Sequence, residues 1–372
     1  MNDVIGIIND TEEGKQLREL IGGRSLASIP FGGRYRMVDF MLSNMINSGI
    51  ENVGILVKSN YRSLMGHTRS PKEWNLDRKK DGLFILPPDY QGEVSSGIKG
   101  ELEILYSNLD YIERSKQKDV IISGVNMICN IDYSQVLEFH RKIGNDITVI
   151  YKDVNEEIEK FYPCTTITTN KCGRIVDMEV NPQNFLSKKV SMEMYILSKN
   201  LLSEITEECI SRGKYDFVKD GIINNIKRLK IGAFPFVGYV ASINSVENYY
   251  RCSMELLKPD IWRELFFKNG YIYTKAGDQP PAKYLKSSNV KNSLTANGCV
   301  IDGNVENSIL FRKVRIHKGA IIKNCIIMQN SEIGENVFLE NVIIDKDCYI
   351  NSGKELMGSK DYPLIIEKKR II

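Results

Sequence analysis

The chain has no uninterrupted apolar run of about 18 residues, the length that a membrane-spanning helix needs. Its first ten residues, MNDVIGIIND, hold no basic stretch leading into an apolar core. Neither a spanning helix nor a signal peptide is expected, and the expected location is the cytoplasm. Histidine is scarce, with 3 in 372 residues, and the 8 cysteines are scattered without a C-x-x-C pair. Zinc sites need clustered ligands, so no metal site is expected. Cys299, Cys325 and Cys348 sit among aliphatic residues, where reduced cysteine acts as a small apolar filler. Excess charge of one sign is also missing, because 50 Lys and Arg against 47 Asp and Glu leave +3. Such a balance gives no footing for nucleic acid or for a membrane surface.

What is present is organisation. Residues 1–257 alternate short apolar runs with amphipathic segments, which is the pattern of a doubly wound α/β sheet. Val4–Ile8, Val53–Val57, Val120–Ile122 and Asp146–Tyr151 read as strands; Met37–Ser48, Leu102–Arg114 and Tyr133–Lys142 read as helices. In such a sheet the ligand crevice lies at the carboxyl ends of the strands. Residues 258–292 read as a polar, aromatic connector in which Pro280 and Pro281 forbid regular helix. Residues 293–372 then repeat: Ile316, Ile322 and Met328 are six apart, and a five-residue step leads to Ile333 and Leu339. A hexapeptide period predicts a left-handed parallel β-helix, each aliphatic residue stacking on the one a coil away. The segments Phe236-Val237 and Ile343-Ile344 read as apolar surfaces in need of a cover.

Five segments in this order carry a resemblance: PFGGRYRMVDFMLSNMINSGI (30–50), SMEMYI (191–196), DFVKD (216–220), PPAK (280–283) and NSL (292–294) opening the hexapeptides. The whole chain resembles the bacterial ADP-glucose pyrophosphorylases, or glucose-1-phosphate adenylyltransferases, and most of all their GlgD-type, non-catalytic subunit. The resemblance implies a Rossmann-like nucleotidyltransferase domain before the β-helix. It also implies a reaction joining ATP and glucose 1-phosphate into ADP-glucose and pyrophosphate, in glycogen biosynthesis. Positive charge and positioning do most of that work.

The ligand-contacting positions depart from the family pattern. The nucleotide loop, glycine- and arginine-rich in the family, reads Asn9-Asp10-Thr11-Glu12-Glu13-Gly14, with two acids where a triphosphate needs positive charge. Leu26 stands for the lysine before PFGG, and Asn181 for the lysine that binds the sugar phosphate. Val125 and Tyr239 stand for the two aspartates that hold Mg²⁺, and Gly100-Glu101-Leu102-Glu103 for the segment that contacts the base. Glu179, Ser191 and Asp216 match positions lining the glucose pocket, although Glu193 replaces a glycine beside the sugar; hydrogen bonding within the sheet edge is the plainer role. Arg24, Arg34 and Arg36 match a region where family effectors bind, against the plainer alternative of a solvated basic face.

The resemblance therefore implies a regulatory or assembly subunit with no cofactor of its own. Mg²⁺ is expected in a catalytic glucose-1-phosphate adenylyltransferase partner, the two forming a heterotetramer. The alternatives are a weakly active enzyme and a stand-alone sugar-phosphate-binding scaffold.

Overall fold

The computed structural model describes residues 1, 3–89, 97–154 and 158–372. Strands β1 (Val4–Asp10), β2 (Asn52–Val57), β3 (Gly82–Leu86) and β4 (Asp119–Gly124) are parallel, in the order β4-β1-β2-β3. β1 shows why such strands read as unbroken apolar runs. Val4 and Ile8 enter the core on one face of the sheet, and Ile5 and Ile7 enter the core on the other. Five further strands extend the sheet: β5 (Ile147–Asp153), β6 (Thr165–Thr169), β7 (Ile175–Val180), β8 (Lys189–Ser198) and β9 (Ile231–Pro235). β8 is antiparallel to both β4 and β5, β9 is parallel to β5, and β6 and β7 form an antiparallel pair.

Helices cover the sheet. α1 (Met37–Asn47) starts where Asp39 accepts a hydrogen bond from the Arg36 backbone N–H at 2.9 Å. The expected helix 102–114 is two helices, α2 (Glu101–Ser107) and α3 (Leu109–Arg114). Between them the Asn108 amide donates to the Ile104 carbonyl at 2.8 Å and to Pro87 at 2.9 Å, replacing helical continuity with side-chain bonds. α4 (Tyr133–Ile143) is capped by Asp132, which accepts from Ser134 N at 2.9 Å, and stops at Gly144 with φ +65°. α5 (Lys199–Ser211), α6 (Val246–Glu255) and α7 (Pro259–Phe267) follow, the last inside the stretch read as connector.

The β-helix also begins inside that stretch, at Lys283–Tyr284, which pairs in parallel with Val300–Ile301. Three five-stranded parallel sheets form its faces. From Arg315 onward most coils repeat every 17 residues, as in Ile316 beside Ile333 and Ile333 beside Ile350. The interior residues are Ile316, Ile322, Ile327, Ile333, Leu339 and Ile344. Ile327, not Met328, therefore fills the core. The corner between Ile322 and Ile327 is a single left-handed residue, Asn324 at φ +50°, repeated by Asn307 and Asn341, and it spans one residue less than a six-residue step. Asparagine tolerates that backbone better than most residues.

Met328 faces outward and joins Ile309, Ile326 and Ile343 in the core of the first domain. The Ile343-Ile344 pair is thus not an open surface. Ile343 is covered by the chain's own sheet domain, and Ile344 lies inside the coil. Phe236 is buried as well, while Val237 stays 81% exposed. Two hydrogen bonds tie α6 to neighbouring elements: Tyr249 donates to the Pro30 carbonyl at 2.8 Å and Tyr250 to the Asn324 carbonyl at 2.7 Å. All eight cysteines are free thiols, and Cys299, Cys325 and Cys348 are buried in the coils. No helix among the described residues is long and apolar enough to cross a membrane.

Candidate functional site

The loops after β1 and β4, the middle of β8 and the start of a short helical turn, Phe217–Ile222, enclose a cleft of about 560 Å³. Its position is that of the ligand crevice in a doubly wound sheet. Gly100 lets α2 approach the far wall, since a Cβ there would stand 2.3 Å from the Tyr215 carbonyl oxygen.

The cleft walls carry acids. Glu12, Glu13, Glu101, Glu193 and Asp216 all line it. Glu13 is held by Lys58 at 2.8 Å and Lys15 at 3.2 Å, and Asp216 by Lys219 at 3.4 Å. Glu101 accepts from the Phe217 backbone N–H at 3.0 Å. Among the described residues Glu12, Glu101 and Glu193 have no cation in ion-pair contact. Glu12 opens to solvent in the cleft while protein surrounds it, and that desolvation together with Glu101 raises its pKa. Burial raises Glu101 likewise. Glu193 is pushed well up, first by burial and then by the charge of Glu12, with the Asn126 side chain opposing.

Glu193 also has an unusual backbone, φ +55°, at an irregularity in the β8–β5 register between Ser191 and Met194. That is glycine-favouring space, held here by a glutamate. Ser191 supports the kink, its hydroxyl accepting from the Glu193 N–H at 3.2 Å.

The expected site residues divide. Leu26, Asn181 and Asp216 line the cleft. Ser191 is fully buried behind it, and neither Ser191 nor Glu179 is among its lining residues. Val125 packs into the core, and Tyr239 turns away to donate to Glu255 at 2.7 Å. Near these two positions the cleft is lined instead by Asn126 and Asn244, which flank the pairing of Met127 with Ser242. Both are neutral amides, and neither Val125 nor Tyr239 supplies a carboxylate. Among the lining residues to which the sequence reading gives no role are Asn126, Tyr195, Lys58, Lys99 and Asn244. The one signal for Asn126 was its place after a strand ending in Ser123-Gly124.

The three arginines also divide. Arg24 is 5% exposed and forms a buried ion pair with Asp345 of the β-helix. Arg36 donates to the Ser63 carbonyl at 2.8 Å, and Arg34 remains exposed, donating to the Tyr35 hydroxyl at 2.8 Å. Lys346 lies beside this junction, and burial, then Arg36 and Arg24, pull its pKa down to about 7.

Beneath the loop, Asp10 is 2% exposed; its Oδ1 accepts from Ala27 N at 2.9 Å and its Oδ2 has no partner among the described residues. Burial raises its pKa to about 7. The folded protein thus keeps a proton that the unfolded chain releases above the ordinary value of 3.8. Stability contributed below that value is lost as pH rises towards about 7. Asp10→Asn keeps the Oδ1 acceptor and is expected to flatten the profile, adding up to about 4 kcal/mol at pH 8. Thermal unfolding at pH 5 and pH 8 checks this; parallel profiles for the two proteins would refute it.

A nucleotidyl transferase family model matches residues 6–255. The chain is 40% identical over 368 residues to the glycogen biosynthesis protein GlgD of Bacillus subtilis (strain 168), covering 99% of this chain and 96% of that one. This chain belongs to the glucose-1-phosphate adenylyltransferase family. Within that family it is 42% identical over 370 residues to the glycogen biosynthesis protein GlgD of Geobacillus stearothermophilus, covering 99% and 96%. It is 32% identical over 369 residues to a glucose-1-phosphate adenylyltransferase of Bacillus cereus, covering 96% of each chain. A GlmU-like, C-terminal hexapeptide model matches residues 280–360, in accord with the coils.

Proposed function

We propose that this chain is a regulatory or assembly subunit of a glucose-1-phosphate adenylyltransferase in glycogen biosynthesis, with the chemistry performed by a catalytic partner. One observation carries the reading: the cleft where this family binds ATP and glucose 1-phosphate is lined by uncompensated carboxylates. Phosphoryl chemistry needs cations aimed at developing negative charge. Here Leu26 and Asn181 offer none, and Glu12 and Glu193 oppose it. Binding Mg²⁺–ATP would add negative charge to a pocket already short of counter-charge.

A subunit of this kind acts through contacts that favour one arrangement of its neighbour. Arg34 and Arg36 offer basic groups at the domain junction for a sugar-phosphate effector, while Arg24 is committed to Asp345 and Lys346 is buried. The test is to assay ADP-glucose formation by the purified chain, by a catalytic homologue, and by the verified complex of both. The chain alone is expected to turn over far below the usual enzyme range of about 1–10³ per second. The complex is expected to differ from the catalytic subunit in activity or effector response by about 5- to 150-fold. Arg34→Glu is expected to reduce the effector-dependent part while the complex still forms. Identical kinetics with and without this chain in a formed complex would refute a regulatory role, and enzyme-like turnover by the chain alone would refute the whole reading.

A further inference from the structure

The same cleft has a positive reading that does not depend on a partner. We propose that it binds an aliphatic polyamine, a flexible chain bearing several ammonium groups.

Unmet acceptors converge on one space. A Cβ built on Gly124 would stand 2.8 Å from a Glu193 carboxylate oxygen and 3.3 Å from Asn126 Oδ1, so both oxygens crowd against the same glycine in the cleft wall. Asn126 is 6% exposed and its Oδ1 has no donor among the described residues. Tyr195 is 3% exposed, lines the same cleft, and its hydroxyl is likewise without a partner. A buried acceptor without a donor is costly, and a group left so in a polar cleft marks where a donor belongs. With Glu12, Glu101 and Glu193 around them, the missing species is rich in N–H donors and positively charged.

Three lysines line the cleft beside these acids, and each already has a partner. Lys15 and Lys58 hold Glu13, and the Lys99 ammonium lies over the Tyr215 ring and 3.2 Å from its hydroxyl. The spread of charge selects among cations. No three Asp, Glu, His or Cys side chains among the described residues stand together as a metal site needs. Three carboxylates from separate elements, the loop after β1, α2 and β8, share one cleft of about 560 Å³, which suits a ligand that carries several charges along a chain. Backbone strain points the same way. Glu193 occupies left-handed space at the cleft floor, and strained residues persist where the strained position has a use.

Isothermal titration of the purified chain with spermidine at pH 8 and fixed ionic strength tests the proposal, with putrescine, Mg²⁺ and ATP titrated in parallel. The expected result is one saturable spermidine site, weaker binding of putrescine, and no displacement by Mg²⁺ at matched ionic strength. Affinity is expected to fall about tenfold or more for each carboxylate removed in Glu12→Gln and Glu193→Gln. Circular dichroism and thermal unfolding confirm that the variants are folded. Absence of a saturable site in the folded wild-type protein overturns the proposal. So does equal spermidine affinity in the folded double variant, which would place binding on the general surface. Tight ATP binding that excludes spermidine overturns it as well.

Discussion

Asp345→Ala is expected to lower the melting temperature by about 4–6 °C, from a loss of about 3–5 kcal/mol. Asp345 is 1% exposed, and the substitution leaves the Arg24 guanidinium buried without its counter-charge. Arg24 has little in reserve, since its Nη1 already lacks an acceptor among the described residues. Removing both charges should cost far less than removing one, because a buried pair of well-packed apolar groups is often as stable as the ion pair. Arg24→Met combined with Asp345→Leu is therefore expected to recover most of the loss. The measurement is thermal unfolding of the single and double variants. A loss below about 1 kcal/mol for the single variant, the level of an exposed ion pair, would show that the contact does not hold the domains together.

Glu193→Gly is expected to do the opposite and stabilise the fold. Glycine adopts φ +55° without the cost of about 1–2 kcal/mol that a side chain meets in left-handed space. The change also removes a carboxyl that burial and Glu12 keep from ionising freely. Glycine gives back roughly 0.5–1 kcal/mol in backbone entropy. The backbone terms leave a net gain of up to about 1 kcal/mol, and relief of the buried carboxyl adds to it at pH 8. Because the folded-state pKa of Glu193 is raised, the wild type loses stability as pH climbs from the ordinary carboxylate range, so the gain should shrink at pH 5. Denaturant unfolding at both pH values checks the sign and the trend. A variant less stable than wild type at pH 8 would show that the Glu193 side chain is needed by the fold itself.

The α/β sheet and the coils were legible because both rest on periodicity, which survives without knowledge of any contact. β1 and the stacked isoleucines are of this kind. What one position contacts was harder to read. Val125 and Tyr239 were placed by matching short segments, and a single-residue uncertainty after β4 moves the pocket from Val125 to Asn126. Tyr239 lies near the right segment, yet its hydroxyl has a stronger claim on it in Glu255. Met328 and Ile327 show the same limit, because one left-handed asparagine shortens a corner and transfers the core position to the neighbour. The wrong sign of the nucleotide loop was plain in Glu12 and Glu13, whereas the convergence of Glu193 and Glu101 on it needed the fold. Arg24 read as an open basic group because its partner lies 321 residues away in sequence.

The coil stack has a mechanical consequence. Its faces are hydrogen-bonded strand to strand along their length, and Ile309, Ile326 and Ile343 seat it on the sheet domain at three successive rungs. Each coil is bonded to the next, so neighbouring coils share a load placed on any one of them. At the seat the load meets Asp345, which grips Arg24, and Arg24 is two residues from Leu26 in the cleft wall. One buried ion pair thus joins the outer coils to the segment that forms the cleft wall.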